Sequence, residues 1–210
     1  MLRHTLAVST TLNVTRAVKR LVRDVAARLP ELAHVRASRV LVVAGEARRA
    51  SRATIRPAHF EDSRGRAGAG TRRKPLIRVK GRKILYVVTL RPLWFLESSP
   101  EQRVRTILHE LYHASPSFDG TLARNRRHDR LPAARYERRI RALTERYLAM
   151  APPEVLAPFS ASGLVRARMW LERPAAAYDD DAYRGRRVYT EKQLFLGHVR
   201  MITRRRRAVH

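Results

Sequence analysis

The chain of 210 residues carries 45 basic and 18 acidic side chains, a formal net charge of +27, and 44% of its residues are hydrophobic. That size and content predict one domain with a real core and argue against wholesale disorder. The absence of cysteine excludes a disulfide framework, a thiol nucleophile, an iron–sulfur cluster and a cysteine zinc ribbon, so any metal must be held by His, Asp or Glu.

Taken in chain order, Val14, Val18, Leu21, Val22, Val25 and Leu29 recur at helical spacing, and Pro30 closes the pattern, which predicts an amphipathic helix. Two β-branched runs, Val40 to Val43 and Ala53 to Arg56, predict a hairpin between Arg39 and Pro57. The Gly- and Arg-rich stretch from Glu61 to Lys74 has no periodicity and is expected to be a basic loop. Leu76 to Val79 and Ile84 to Leu90 are strand-like, and Pro92 ends the second run. Ser99 is a good N-cap, Pro100 suits the first helical position and Gln102 can close a capping box, predicting a helix from Pro100 to about Ala114. A further helix is expected over Ala133 to Leu148, with Tyr136, Ile140, Leu143 and Tyr147 on one face. Ala151-Pro152-Pro153 divides the chain into a domain over 1–150 and a basic extension over 151–210, in which Thr190 is expected to cap a short helix carrying Leu194, Phe195, His198, Met201 and Ile202.

The capped helix contains His109-Glu110-Leu111-Tyr112-His113, an H-E-x-x-H motif. Positions i and i+4 lie one above the other on a helix, so both imidazoles can converge on one zinc ion, and Glu110 stands where a general base is needed beside a Lewis acid. Composition alone would produce roughly 0.016 such motifs in this chain, so chance explains it poorly. A catalytic zinc site has three protein ligands and an open position. His128, beyond the Phe118-Asp119-Gly120 turn, is the favoured third ligand, and Asp119 is the alternative. Asp119 has the six-residue spacing of metzincins, but Pro116 stands where their loop has glycine. Glu137 is a more distant candidate, in the gluzincin manner.

The string Ile107-Leu108-His109-Glu110-Leu111-Tyr112-His113-Ala114-Ser115-Pro116-Ser117-Phe118-Asp119-Gly120, followed by Arg126-Arg127-His128-Asp129, resembles the phage metallopeptidase family of compact zincins. The resemblance covers roughly residues 10 to 150 and implies an α+β, zincin-like fold: a small, mostly antiparallel sheet packed on an N-terminal helix and the H-E-x-x-H helix. It also implies a zinc cofactor held by His109, His113 and His128, Glu110 as catalytic carboxylate, and a protein or peptide substrate. A weaker likeness is to SprT-like and Spartan proteases, which act on DNA-bound proteins and often carry a cysteine zinc ribbon that this chain lacks. The strand Ile84 to Leu90 is the expected edge for an extended substrate, and Tyr112, Arg130 and Tyr136 are the candidates for stabilising an oxyanion.

Of the basic residues 40 are Arg, and the excess is spread through the body, +21 over residues 1–150 and +6 over 151–210. Such a field draws polyanions, so non-specific nucleic acid is a second expected partner. The alternative to a peptidase is therefore a nucleic-acid-associated protein with a structural or inactive metal site, or a peptidase recruited to nucleic acid. No run approaches the roughly 20 apolar residues of a membrane span and the N-terminal residues lack a signal-like apolar stretch, so a cytoplasmic protein without membrane association is expected. Asp179-Asp180-Asp181 is expected to be a solvated turn, Arg204 to Arg207 a basic end that binds nucleic acid or aids solubility, Trp94 and Phe95 core residues, and His198 a packed side chain.

Overall fold

In the computed structural model, residues 11–46, 51–58, 72–123, 133–175, 178–179 and 188–201 are described. Helix α1 (Val14–Arg28) starts where the Asn13 side chain accepts a hydrogen bond from the Arg16 backbone N–H, and it buries Val14, Val18, Leu21, Val22 and Val25. These residues recur at the spacing that lines one helical face, so their burial sets the orientation of the helix on the sheet.

That sheet has three strands, β1 (Val40–Ala44), β6 (Tyr86–Leu90) and β2 (Ala53–Pro57), in the order β1-β6-β2. Strand β6 runs parallel to β1, with Val42 opposite Val88, and antiparallel to β2, with Ile55 opposite Val88. The expected hairpin of β1 and β2 is therefore not formed, because β6 inserts between them. The same insertion corrects the expected substrate edge: β6 has partners on both sides, the edge strands of this sheet are β1 and β2, and it is β2 that lies beside α3.

Alternation of side chains separates two faces. Val40, Val42, Ala44, Ala53, Ile55, Tyr86, Val88 and Leu90 pack into the main core with α1, α3 (Pro100–Tyr112) and α4 (Ala133–Met150). Leu41, Val43 and Ala58 form a second cluster with Ile77, Ile84 and Tyr189. These last residues come from or adjoin a small sheet of β5 (Arg82–Lys83), β4 (Leu76–Val79) and β9 (Val188–Tyr189), in which β4 pairs antiparallel with β5 and parallel with β9. The two-residue strands β3 (Arg72–Arg73) and β8 (Tyr178–Asp179) form a separate antiparallel pair. The molecule is mixed α and β, with helices and small sheets that include two parallel pairings, β1 with β6 and β4 with β9. Among the described residues no helix is long and apolar enough to cross a membrane.

The segment read as an extension contributes to the same core. The short helix α5 (Pro153–Leu156) buries Val155, the following turn buries Phe159, and β7 (Gly163–Trp170) buries Val165 and Ala167 against the α1 side. Arg103, on α3, is 1% exposed and donates to three backbone carbonyls: Phe159 at 2.6 Å, Ala161 at 2.9 Å and Leu96 at 2.7 Å. Leu96 is the last residue of α2 (Pro92–Leu96), and Phe159 and Ala161 belong to the one turn after α5, so one side chain fixes two segments to the H-E-x-x-H helix.

The expected helix after Thr190 is corrected to a strand. Thr190 and Gln193 do make a capping box, but on a single 3₁₀ turn over Glu191–Gln193, and β10 (Leu194–Met201) follows as an antiparallel partner of β7. His198 is consequently exposed on this ribbon rather than packed. Phe95 is fully buried, as expected, while Asp180 and Asp181, the greater part of the basic loop over 61–74 and Arg204 to Arg207 lie outside the described residues.

Candidate metal centre and its cleft

Helix α3 begins with the reciprocal cap anticipated from its sequence. The Ser99 hydroxyl accepts from the Gln102 N–H, and the Gln102 side chain accepts from the Ser99 N–H. Val104, Ile107, Leu108 and Leu111 face the core. This leaves His109 and His113 half-buried at the surface, one turn apart. Their Nε2 atoms are 3.3 Å from each other. Two nitrogens bound to one tetrahedral zinc at about 2.0–2.1 Å stand about 3.3–3.4 Å apart, so the pair already has the separation such an ion requires.

Tyr136, on α4, completes the wall. Its hydroxyl is 3.2 Å from His113 Nε2, and its ring stacks on His113 with centroids 5.6 Å apart and planes 13° apart. The same ring meets His109 edge-on at 5.2 Å. Tyr136 belongs to the stripe Tyr136, Ile140, Leu143, Tyr147 that buries α4. In the sequence it stands both in the core stripe of its helix and among the oxyanion candidates, and the docking of α4 on α3 places its hydroxyl beside the imidazoles. Tyr147, three turns along, donates to Asp24 at 2.7 Å, and Asp24 also takes Arg28, which ties α4 to α1.

Glu110 is 7% exposed, and its Oε2 accepts a hydrogen bond from the Ile55 N–H at 2.8 Å. Burial pushes its carboxyl up to about 8, and the Ile55 bond offsets part of that rise. Ile55 lies on β2, and its N–H points away from β6 toward the open edge of the sheet. Even-numbered neighbours bond inward, as the Ala58 N–H to Leu85 and the Arg52 carbonyl to Arg91 show. The outer edge of β2 therefore presents backbone groups of Ala53 and Ile55 beside α3. An open cleft of about 500 Å³ lies between them, lined by Ser51, Arg52 and Ala53 on one side and Gln102, Arg105, Thr106, His109, Glu110 and Glu137 on the other.

The structure places the His109 and His113 Nε2 atoms side by side, and His109 and Glu110 line the same cleft. Among the described residues no group of three His, Asp or Glu is placed to hold a metal ion. Asp119 is engaged in its own turn, accepting from the Thr121 N–H and hydroxyl and from the Ser117 hydroxyl, which hold its carboxyl below the usual range. Glu137 faces the cleft and is ion-paired with Arg105. His128 and Arg130 lie outside the described residues. Tyr112 is buried, with Arg139 over its ring at 5.8 Å and the Tyr136 ring edge-on to it at 5.9 Å.

The chain matches no family model, no curated protein and no solved structure.

Proposed function

We propose that this protein is a zinc-dependent metallopeptidase with a zincin-like active site. The observation that carries this reading is the pair of Nε2 atoms on α3 at a tetrahedral ligand separation, with a buried carboxylate on the intervening residue. Support also comes from the resemblance of residues 107–129 to the phage metallopeptidase family. His109 and His113 would hold the metal, with His128 as the third ligand favoured by the sequence. Zinc at such a site supplies Lewis-acid polarisation of the scissile carbonyl and lowers the pKa of water toward neutrality.

The protein supplies the rest. Glu110 takes a proton from water and returns it to the leaving amine, with the Ile55 N–H orienting the carboxylate. The substrate is an extended peptide that pairs with the outer edge of β2, passing over His109 and Glu110 along the cleft. The Tyr136 hydroxyl donates to the oxygen that becomes negative as the carbonyl is attacked.

Two measurements test this reading. Hydrolysis of an unfolded protein such as casein should be lost in 1,10-phenanthroline and restored by added zinc; hydrolysis indifferent to the chelator contradicts it. Tyr136→Phe keeps the ring packing and removes one hydrogen-bond donor, so kcat should fall about 10²-fold with KM nearly unchanged. An unaltered kcat would remove Tyr136 from the mechanism.

A further inference from the structure

We propose that the outer face of the β7–β10 ribbon, together with the cleft at its end, binds single-stranded nucleic acid. The ribbon register decides which side chains share that face. Arg166 is opposite His198, Arg168 opposite Leu196, Leu164 opposite Arg200 and Trp170 opposite Leu194. The intervening Val165 and Ala167 are buried toward the main core, so these pairs point the other way. One strand thus carries Arg166, Arg168 and Trp170 in a row, with Trp170 half-buried against the second cluster and edge-on to Tyr189 at 6.3 Å, and its neighbour adds the exposed His198 and Arg200.

At the Trp170 end lies a cleft of about 190 Å³ on the far side of the sheet from Glu110. Arg56, Lys74 and Arg173 line it together with Trp170, while Ile77 and Val87 give it an apolar wall. It is below the roughly 300–1,000 Å³ of sites that enclose whole drug-sized ligands, and suits one flat ring system. The lining contains three cations and no acid.

The basic character continues beside the ribbon. Lys19 on α1 is half-buried, and burial first, then Arg168, Arg23, Arg82 and Lys80, drive its ammonium below the ordinary lysine value. Lys74 is likewise lowered by burial and by Arg56. Glu191 borders this cluster and takes the Lys80 N–H. Like charges so close on a sheet and a helix oppose folding, and a polyanion laid along them relieves that repulsion.

The aromatic residue selects the kind of polyanion. Backbone phosphates tracked by a row of arginines, with a base seated against an indole, is how single strands are held without sequence preference. A duplex keeps its bases stacked and cannot offer one to so small a cleft, and an acidic peptide has no planar group for Trp170.

The test uses the full chain and a fluorescent single-stranded oligonucleotide of about 12 nucleotides. Anisotropy titrations across salt are compared for wild type, Arg173→Glu, Trp170→Leu, Trp170→Phe and Arg141→Glu. The last changes charge by the same amount on α4, where Arg141 is exposed. Arg173→Glu should weaken binding at least tenfold and Arg141→Glu no more than about threefold. Trp170→Leu should weaken it about tenfold with an unchanged salt slope, and Trp170→Phe should retain most of the affinity. Binding should also be accompanied by quenching of tryptophan fluorescence that Trp170→Phe removes. The proposal is overturned if Arg141→Glu is as damaging as Arg173→Glu, if both Trp170 variants bind like wild type, or if a duplex or polyglutamate competes as well as the single strand. None of these readouts depends on zinc or hydrolysis, so the proposal stands or falls separately from the peptidase.

Discussion

Glu110→Gln is expected to lower peptide hydrolysis by about 10²–10⁴-fold while leaving zinc binding intact. The substitution preserves shape and the ability to accept from the Ile55 N–H, and removes only the capacity to carry a proton. A second consequence separates the role of this carboxylate in catalysis from its effect on folding. In the metal-free protein its pKa is raised from 4.5 to about 8 by burial. The folded state therefore holds a proton that the unfolded state has released between those values. The stabilisation associated with that proton is complete below about pH 4.5 and is lost as pH rises through about 8. Glutamine cannot ionise, so metal-free Glu110→Gln should unfold at a higher temperature than metal-free wild type at pH 8.5, by the equivalent of a few kcal/mol, and at a similar temperature near pH 4. Retained hydrolysis in this variant would sink the general-base role, and equal melting temperatures at both pH values would contradict the buried, protonated carboxyl.

The largest expected loss of stability comes from Arg103→Met. The guanidinium is sequestered from water and satisfies the Leu96, Phe159 and Ala161 carbonyls with its planar set of donors. Methionine fills similar volume and leaves all three acceptors without that partner, at a cost of about 3–5 kcal/mol. For a chain of this size that corresponds to a fall in Tm of about 10 °C, read by differential scanning calorimetry. Arg103→Lys should be only partly rescued, because an ammonium cannot reproduce the fork. A change of less than about 2 °C in Arg103→Met would show that the segment over 157–161 does not depend on this anchor. Since Arg103 sits on the same helix as His109 and His113, its loss should also loosen that histidine pair.

What the sequence disclosed follows from the range of the interactions involved. The start of α3 was legible because its cap is local: Ser99, Pro100 and Gln102 are within four residues, and the structure forms the reciprocal bonds they imply. The buried stripe of α4 was legible for the same reason. The strand order was not, because β6 reaches β1 and β2 across more than thirty residues and nothing near β1 or β2 encodes its insertion. β10 was hidden for a different reason. Leu194, His198 and Met201 fit a helical period as well as a strand, and the cap at Thr190 points to a helix; pairing with the distant β7 makes the segment a strand.

The candidate centre divides along the same line. His109, Glu110 and His113 are adjacent in sequence, and the helix that carries them sets their geometry. The Ile55 N–H that orients Glu110 is a backbone group with no sequence signature. Tyr136 carries a signature of burial, and its hydroxyl becomes part of the site only through helix docking.

Metal content tests the central claim most directly. Elemental analysis of untagged protein purified without chelator, beside His109→Ala, His113→Ala and His128→Ala, should give about one zinc per chain in wild type and much less in all three variants. Wild-type protein without zinc after growth and purification in metal-replete conditions, or zinc retained in both His109→Ala and His113→Ala, would contradict the account.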